Sequence, residues 1–464
     1  MNLRVLILLF LAPAAVAQLT FSEVDFKPVN GESVKADWGE LVVPENRSQT
    51  SERTLKLAVV RFRSTTAKPR SPIVYLEGGP GVSGINGAFG FLFPVIADLR
   101  AVADVIVLDQ RGTGRSEPDT KCNARVIDFT GTQLNEPAMR DAAAAGSRKC
   151  AEALRAKGID LSAIQTDENA DDLESLRVAL HADRLNLLSF SYGTHVAETF
   201  SRRHPRSLES VVLVGPALPD TLLKLPSEQD AQVRVIAALA KMPELLATMR
   251  RVHAQLDAKP AKFDVADPET KETRPIAVSG FGMQWLVSAM LAKPEMVAAL
   301  PMFYDATARG DFTILRDATG FLFAPAPRAT NFLARCAAVS SAAQQARVGR
   351  EKANSVLGDA INFPEPGGCK AWPHGTATNQ KSFRWPGPTL VVTGTLDANA
   401  PPARIEQLRK FFPHRQSLTV DFAGHNDLLG DETVRHELVR FFREGRISKM
   451  RSARPRPEFL PRAQ

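Results

Sequence analysis

Leu185-Asn186-Leu187-Leu188-Ser189-Phe190-Ser191-Tyr192-Gly193-Thr194-His195-Val196-Ala197 is the stretch whose reading decides the fold. Its first half is a short apolar strand and its second half opens a helix, with Ser191 between them. Ser189-Phe190-Ser191-Tyr192-Gly193 is close to the G-x-S-x-G elbow, a sharp strand–turn–helix that lifts a serine hydroxyl above a sheet. That turn leaves room only for small residues two before and two after the serine, and Ser189 and Gly193 meet the condition. A serine alone is a poor nucleophile, so the reading requires a base and an acid elsewhere in the chain.

Both follow, each just past a strand. Pro388–Gly394 is β-rich and leads to Asp397; Ser417–Phe422 is β-rich and leads to Gly424-His425. The order Ser191, Asp397, His425 is that of α/β-hydrolases, and the ends of parallel strands are where such sheets build their sites. His425 is expected to take the Ser191 proton and Asp397 to orient the imidazole. Taken singly, such a serine reads as a turn residue, the aspartate as a helix cap and the histidine as a loop residue. Their order and placement after strands carry the assignment. His195 and His204 follow the elbow on its own helix, and His436 falls on a surface helix.

Ile73-Val74-Tyr75-Leu76-Glu77-Gly78-Gly79-Pro80-Gly81 reads as a strand entering a glycine-rich loop. Acyl transfer needs two N–H donors for the developing oxyanion, and Tyr192 and Gly79 are expected to supply them. No Lys-Ser/Thr pair follows the glycines, which excludes a phosphate-binding P-loop.

Glu77-Gly78-Gly79-Pro80-Gly81, Asp109-Gln110-Arg111-Gly112-Thr113-Gly114-Arg115-Ser116 and Ser191-Tyr192-Gly193-Thr194 together resemble the proline iminopeptidase and tripeptidyl aminopeptidase branch of the α/β-hydrolases. Ala170–Leu180 and Gly39–Pro44 are similar to that branch as well. The sequence departs from it in having Glu77 where a His is usual and Ser189 where the first elbow glycine is usual. The resemblance implies a cofactor-free, metal-free serine exopeptidase acting on N-terminal residues or short peptides. A carboxylesterase or amidase on the same scaffold is the alternative, because fold and triad do not choose the acyl substrate. It also implies acidic residues near the cap to hold a substrate α-amino group. Glu228, Asp230, Glu244, Asp305, Asp311 and the loop residue Glu77 are candidates, while Phe281, Trp285, Phe303 and Tyr304 could line an apolar pocket or pack a core. The Asp109–Ser116 string reads as structural, with Asp109 pairing Arg111.

The expected organisation is a mostly parallel, doubly wound α/β sheet with a helical cap inserted between its sixth and seventh strands. Met1–Arg4, the apolar run Val5–Ala12 and Ala15-Val16-Ala17 read as a signal peptide over residues 1–17, giving an exported, periplasmic or secreted protein. Residues 18–220 form the first part of the core. Residues 221–384 show helical patterns (Ala231–Ala240, Glu244–Ala258, Met283–Leu291, Ala329–Ala343) and no clear strand, hence a lid; the core resumes over 385–445. No stretch is long and apolar enough for stable membrane insertion. Four cysteines in an exported chain read as two disulfides; of three connectivities, neighbour pairing of Cys122 with Cys150 and Cys336 with Cys369 is expected. Neither C-x-x-C nor H-E-x-x-H spacing occurs, so no metal is expected. The net charge of +7 owes much to a basic, proline-bearing tail over 446–464, expected to be disordered. The rest of the chain is nearly balanced and nothing in it suggests nucleic acid.

Overall fold

Runs of Val, Ile and Leu too continuous for a half-exposed strand make the centre of the protein a sheet buried on both faces. The computed structural model describes residues 18–122, 133–217, 222–266, 271–320, 328–337, 340–365, 367–373 and 383–460. Its strands are β1 (Gln18–Phe26), β2 (Val34–Pro44), β3 (Thr54–Phe62), β4 (Arg70–Leu76), β5 (Ala103–Leu108), β6 (Gln133–Leu134), β7 (Leu185–Phe190), β8 (Leu208–Val214), β9 (Ala261–Ala266), β10 (Thr273–Val278), β11 (Thr389–Gly394), β12 (Arg415–Asp421) and β13 (Arg451–Ala453). The main sheet has the order β1-β2-β3-β5-β4-β7-β8-β11-β12-β13. Strands β1, β2, β3 and β5 pair antiparallel, and from β5 to β13 all neighbours are parallel. Alternate residues of β4 face two separate cores, Ile73 and Tyr75 on one side and Val74 and Leu76 on the other. Helices such as Thr166–Ala179, Gly193–Arg203 and Glu432–Glu444 cover those faces.

The insert lies where the regular alternation stops, between β8 and β11, and has its own core around Val233, Met249, Val287 and Phe303. Ahead of the insert the main sheet carries one more strand than the sequence count, the amphipathic β1 at its edge. The insert therefore follows the seventh strand of that sheet in chain order and not the sixth. It is also not purely helical. Strands β9 and β10 form an antiparallel pair, and β6, from the core segment, joins them in a three-stranded sheet. Pro275 in β10 argues against a strand on sequence grounds. It is tolerated because β6 pairs only with Ala277 and Val278, leaving one edge of β10 open at Pro275. Among the described residues no helix is long and apolar enough to cross a membrane. The signal-peptide segment 1–17 lies outside the described residues.

Both disulfides join neighbours. Cys122–Cys150 ties the segment after β5 to helix Glu136–Ala156, and Cys336–Cys369 closes a stretch of the insert beside the stacked Phe332 and Trp372 rings. Cross-links of this loop size stabilise by about 3–4 kcal/mol and belong to oxidising compartments.

The basic tail is ordered through residue 460, contrary to the sequence expectation. Strand β13 extends the sheet beside β12, and Arg451 forms a two-point ion pair with Asp421 (2.6 and 2.7 Å). Beyond it the chain crosses to the insert. Arg456 Nη2 donates to the Leu239 carbonyl (2.7 Å), Leu460 N to the Ala298 carbonyl (3.2 Å), and Phe459 packs on the insert core. Arg446, Arg451, Arg454 and Arg456 find acceptors within the fold, a property that composition does not reveal. Deleting residues 446–464 should lower the thermal midpoint by about 2 °C, for roughly 2 kcal/mol of lost pairing and burial. An unchanged midpoint by calorimetry would show that the strap stabilises nothing.

Candidate active site

The site begins with backbone geometry at the end of β7. Ser191 has φ 50, left-handed for a residue with a side chain, and its N–H donates to the Val214 carbonyl (2.9 Å). Such a conformation costs about 1–3 kcal/mol and persists only where the surroundings enforce it. A Cβ on Gly193 would sit 2.2 Å from the Leu76 carbonyl oxygen, and one on Gly78 would sit 2.6 Å from Ser191 Cβ. Ser189 replaces the usual glycine without strain, since its buried hydroxyl donates to the Val212 carbonyl (2.6 Å).

The loops after β11 and β12 bring two groups to that serine. His425 Nε2 lies 2.9 Å from Ser191 Oγ, and His425 Nδ1 lies 2.8 Å from Asp397 Oδ2. The second Asp397 oxygen accepts from the N–H groups of Asn399 (2.9 Å) and Ala400 (2.8 Å). Asp397 is fully buried. Burial alone would raise its carboxyl, but His425, the Ala400 N–H and the Lys224 ammonium outweigh it, holding it below the ordinary carboxylate range. Gly215, at φ +55, lies against the imidazole: a Cβ there would stand 2.7 Å from His425 Cε1. Phe190 packs on the ring with centroids 5.0 Å apart.

The glycine-rich loop after β4 completes one side of a cavity of about 600 Å³ that also contains Ser191, Tyr192 and His425. Gly79 and Gly81 have φ +106 and +91, conformations that favour glycine. Asn331 of the insert donates to the Pro80 carbonyl (2.9 Å) and Gln110 to the Glu77 carbonyl (2.8 Å), so the loop is held from two directions. Glu77 borders the cavity, but its carboxyl is occupied within the fold by the Gly78 N–H (2.7 Å) and the Tyr75 hydroxyl (3.0 Å). Burial raises its pKa in spite of these donors.

The Asp109–Ser116 string is structural, with different partners from those expected. Asp109 accepts from Ser83 Oγ (2.7 Å), Ile85 N (3.1 Å) and Arg115 N (2.9 Å). The fully buried Arg111 instead forks onto Asp172 (2.5 and 2.8 Å) and reaches Glu168 (3.2 Å). Asp109 and Arg111 stand two residues apart along the turn and have separate sets of partners.

The cap carboxylates do not border the cavity. Glu228 pairs with Arg404, Asp230 accepts from Ser355 Oγ (2.8 Å) and Val356 N (3.0 Å), Asp305 pairs with Arg309, and Asp311 accepts from Thr313 N (3.0 Å). Glu244 is exposed at the start of helix Leu245–Ala258. Phe281, Phe303 and Tyr304 belong to the insert core and Trp285 packs against it. The insert instead contributes Lys224 and Arg335 to the wall, and Val82 and Phe91 form an exposed apolar rim. Lys224 is one base in the apolar run Leu222–Leu225, and nothing in the sequence marks it. Among the described residues no group of three or more His, Cys, Asp or Glu side chains could hold a metal ion.

Strand order and the position of the elbow define an α/β-hydrolase. A family profile described as alpha/beta hydrolase fold matches residues 71–272, and one described as TAP-like protein matches 354–453. The chain belongs to the α/β-hydrolases and carries a TAP-like C-terminal part. It is 30% identical over 165 residues to the putative hydrolase YuaR of Escherichia coli K12, covering 35% of this chain and 31% of that protein. It is 28% identical over 191 residues to the serine protease Hip1 of Mycobacterium tuberculosis H37Rv (39% and 36% of the two chains). To a tripeptidyl aminopeptidase of Streptomyces lividans it is 27% identical over 210 residues (40% and 37%). The matches thus span about a third of these relatives' length. Among solved structures it is similar to a proline iminopeptidase of Mycobacterium smegmatis, with TM-score 0.42, 15% identity, and 88% and 98% of the two chains covered.

Gly215→Ala should leave the protein folded and reduce kcat/KM by about 10²-fold by displacing the imidazole. A wild-type rate would show that the ring does not depend on that contact.

Proposed function

We propose that the protein is a serine hydrolase that works through an acyl-enzyme, with Ser191 as nucleophile, His425 as general base and then acid, and Asp397 as the group that orients the imidazole. The observation that carries this reading is the unbroken relay from Ser191 Oγ to His425 Nε2 (2.9 Å) and from Nδ1 to Asp397 (2.8 Å). His425 takes the proton as Oγ attacks the carbonyl, and the imidazolium is stabilised by the carboxylate. The N–H groups of Tyr192 and Gly79 receive the oxyanion, and collapse expels the leaving amine or alcohol with the proton from Nε2. Water, activated by His425, then releases the acyl group. The chemistry needs no cofactor or metal.

The finer reading is an exported exopeptidase that releases N-terminal residues or short peptides. Similarity to tripeptidyl aminopeptidase and Hip1 supports it, as does the insert, which contributes Lys224, Arg335 and Ile361 to the cavity wall. Two disulfides support export. Esterase or amidase action is the second reading, favoured by the described cavity lining, to which Glu228, Asp230, Glu244, Asp305 and Asp311 do not contribute.

Ser191→Ala should abolish turnover and fluorophosphonate labelling, and His425→Ala should lower kcat by about 10⁴-fold or more. Retained activity in Ser191→Ala would overturn the nucleophile assignment. Rates on free and N-acetylated aminoacyl and tripeptidyl anilides, beside a p-nitrophenyl ester, separate the finer readings. Cleavage confined to free-amine anilides establishes an aminopeptidase; ester cleavage without anilide turnover establishes an esterase.

A further inference from the structure

One wall of the cavity is not accounted for by acyl transfer. Lys224, from the segment ahead of helix Pro226–Leu239, and Arg335, from helix Thr330–Ala337, both border it. Each is held in place. Lys224 N donates to Asn362 Oδ1 (2.7 Å) and its carbonyl accepts from Asn362 Nδ2 (2.9 Å), so one buried amide clamps the backbone from both sides. Arg335 Nε donates to Glu365 Oε1 (2.5 Å), which aims the guanidinium. Burial first, and then the nearby positive charges of Arg404 and Arg335, bring Lys224 down to about 7, with Asp397 and Glu228 opposing that fall. A lysine so placed is more stable as a cation once an anion stands beside it. Among the described lining residues the acidic one is Glu77, whose carboxyl is engaged by Gly78 and Tyr75. Across the mouth, Val82 and Phe91 offer apolar surface.

We propose that the insert side of this cavity is a carboxylate subsite: Lys224 and Arg335 bind an anionic group on the substrate, whose remaining apolar part rests toward Val82 and Phe91. The proposal rests on the serine-hydrolase reading of the same cavity. A substrate α-ammonium group directed at this wall would face the Lys224 and Arg335 side chains, which offer it no acceptor. A peptide therefore presents an acidic side chain or a terminal carboxylate there, and a non-peptide substrate presents the free acid of a dicarboxylic or similar ester. The carboxylate can belong to the acyl part or to the leaving group, and the two are separable by experiment.

Rates are measured for p-nitrophenyl esters with an anionic (hydrogen glutarate), neutral (pentanoate) or cationic (γ-aminobutyrate) acyl chain. A second arm compares p-carboxyphenyl with p-carbamoylphenyl butyrate. In one arm the anion should be preferred about tenfold or more in kcat/KM, as charge-assisted hydrogen bonds at a partly buried site provide. That ratio should fall toward one in Lys224→Gln and in Arg335→Gln, and Lys224→Glu should turn the acyl-side preference toward the cation if the first arm is the responsive one. Because the readout is a ratio within each variant, a general loss of active protein cancels. No anion preference in either arm, or a preference that the variants leave intact, overturns the subsite. Fluorophosphonate labelling of wild-type Ser191 separates the two failures: labelling without charge preference rejects the subsite alone, whereas turnover that survives in Ser191→Ala rejects the serine-hydrolase reading beneath it.

Discussion

The left-handed backbone of Ser191 is the constraint on which the rest of the site depends. A strand cannot turn into a helix so abruptly unless neighbouring chains come close enough to hold the turn. Here Leu76, Gly78 and Val214 do so from β4, its following loop and β8. The cost of about 1–3 kcal/mol at one residue is offset by sheet pairing on both sides of β7. The same close approach sets the adjoining loops. The glycine loop after β4 passes over the serine, and Gly215, just past β8, makes room for the imidazole. Five consecutive strands of the sheet, β4-β7-β8-β11-β12, therefore fix the distances among groups more than two hundred residues apart.

What was legible in the sequence followed from that constraint. A buried central strand must be continuously apolar, the elbow must be flanked by small residues, and site residues fall after strands; Leu185–Phe190, Gly193, Asp397 and His425 all show these marks. The illegible parts lack a packing signature. Strand β1 alternates between half-buried and exposed residues, β10 carries a proline, and β13 has three residues with no apolar run. Each exists because a partner supplies hydrogen bonds, and a partner cannot be read from local composition. Arg111 shows the same limit. Its charge was apparent, but the choice of Asp172 over Asp109 depends on which way the turn folds.

The insert divides the labour with the sheet. It has a separate core, and it meets the site through Asn331 on the oxyanion-side loop and through Leu222, Lys224, Arg335 and Ile361 on the cavity wall. Sequence pattern locates such an insert by the absence of regular alternation but says nothing of which face it turns inward. The carboxylates that seemed suited to binding an amine are spent on internal contacts, Glu228 with Arg404 and Asp230 with the turn at Ser355.

The charge on that wall is not independent of the relay. Lys224 helps keep Asp397 ionised, and Asp397 in turn favours the charged form of Lys224. In the proposed mechanism an ionised Asp397 stabilises an imidazolium at His425, so a lysine contributed by the insert bears on proton transfer without touching the serine. Coulombic coupling of this kind is strongest where water is excluded, and Asp397 is fully buried. Substitutions at Lys224 therefore act on two quantities at once, substrate charge preference and the electrostatics of the base. The first appears as a ratio between substrates and the second as a change common to all of them.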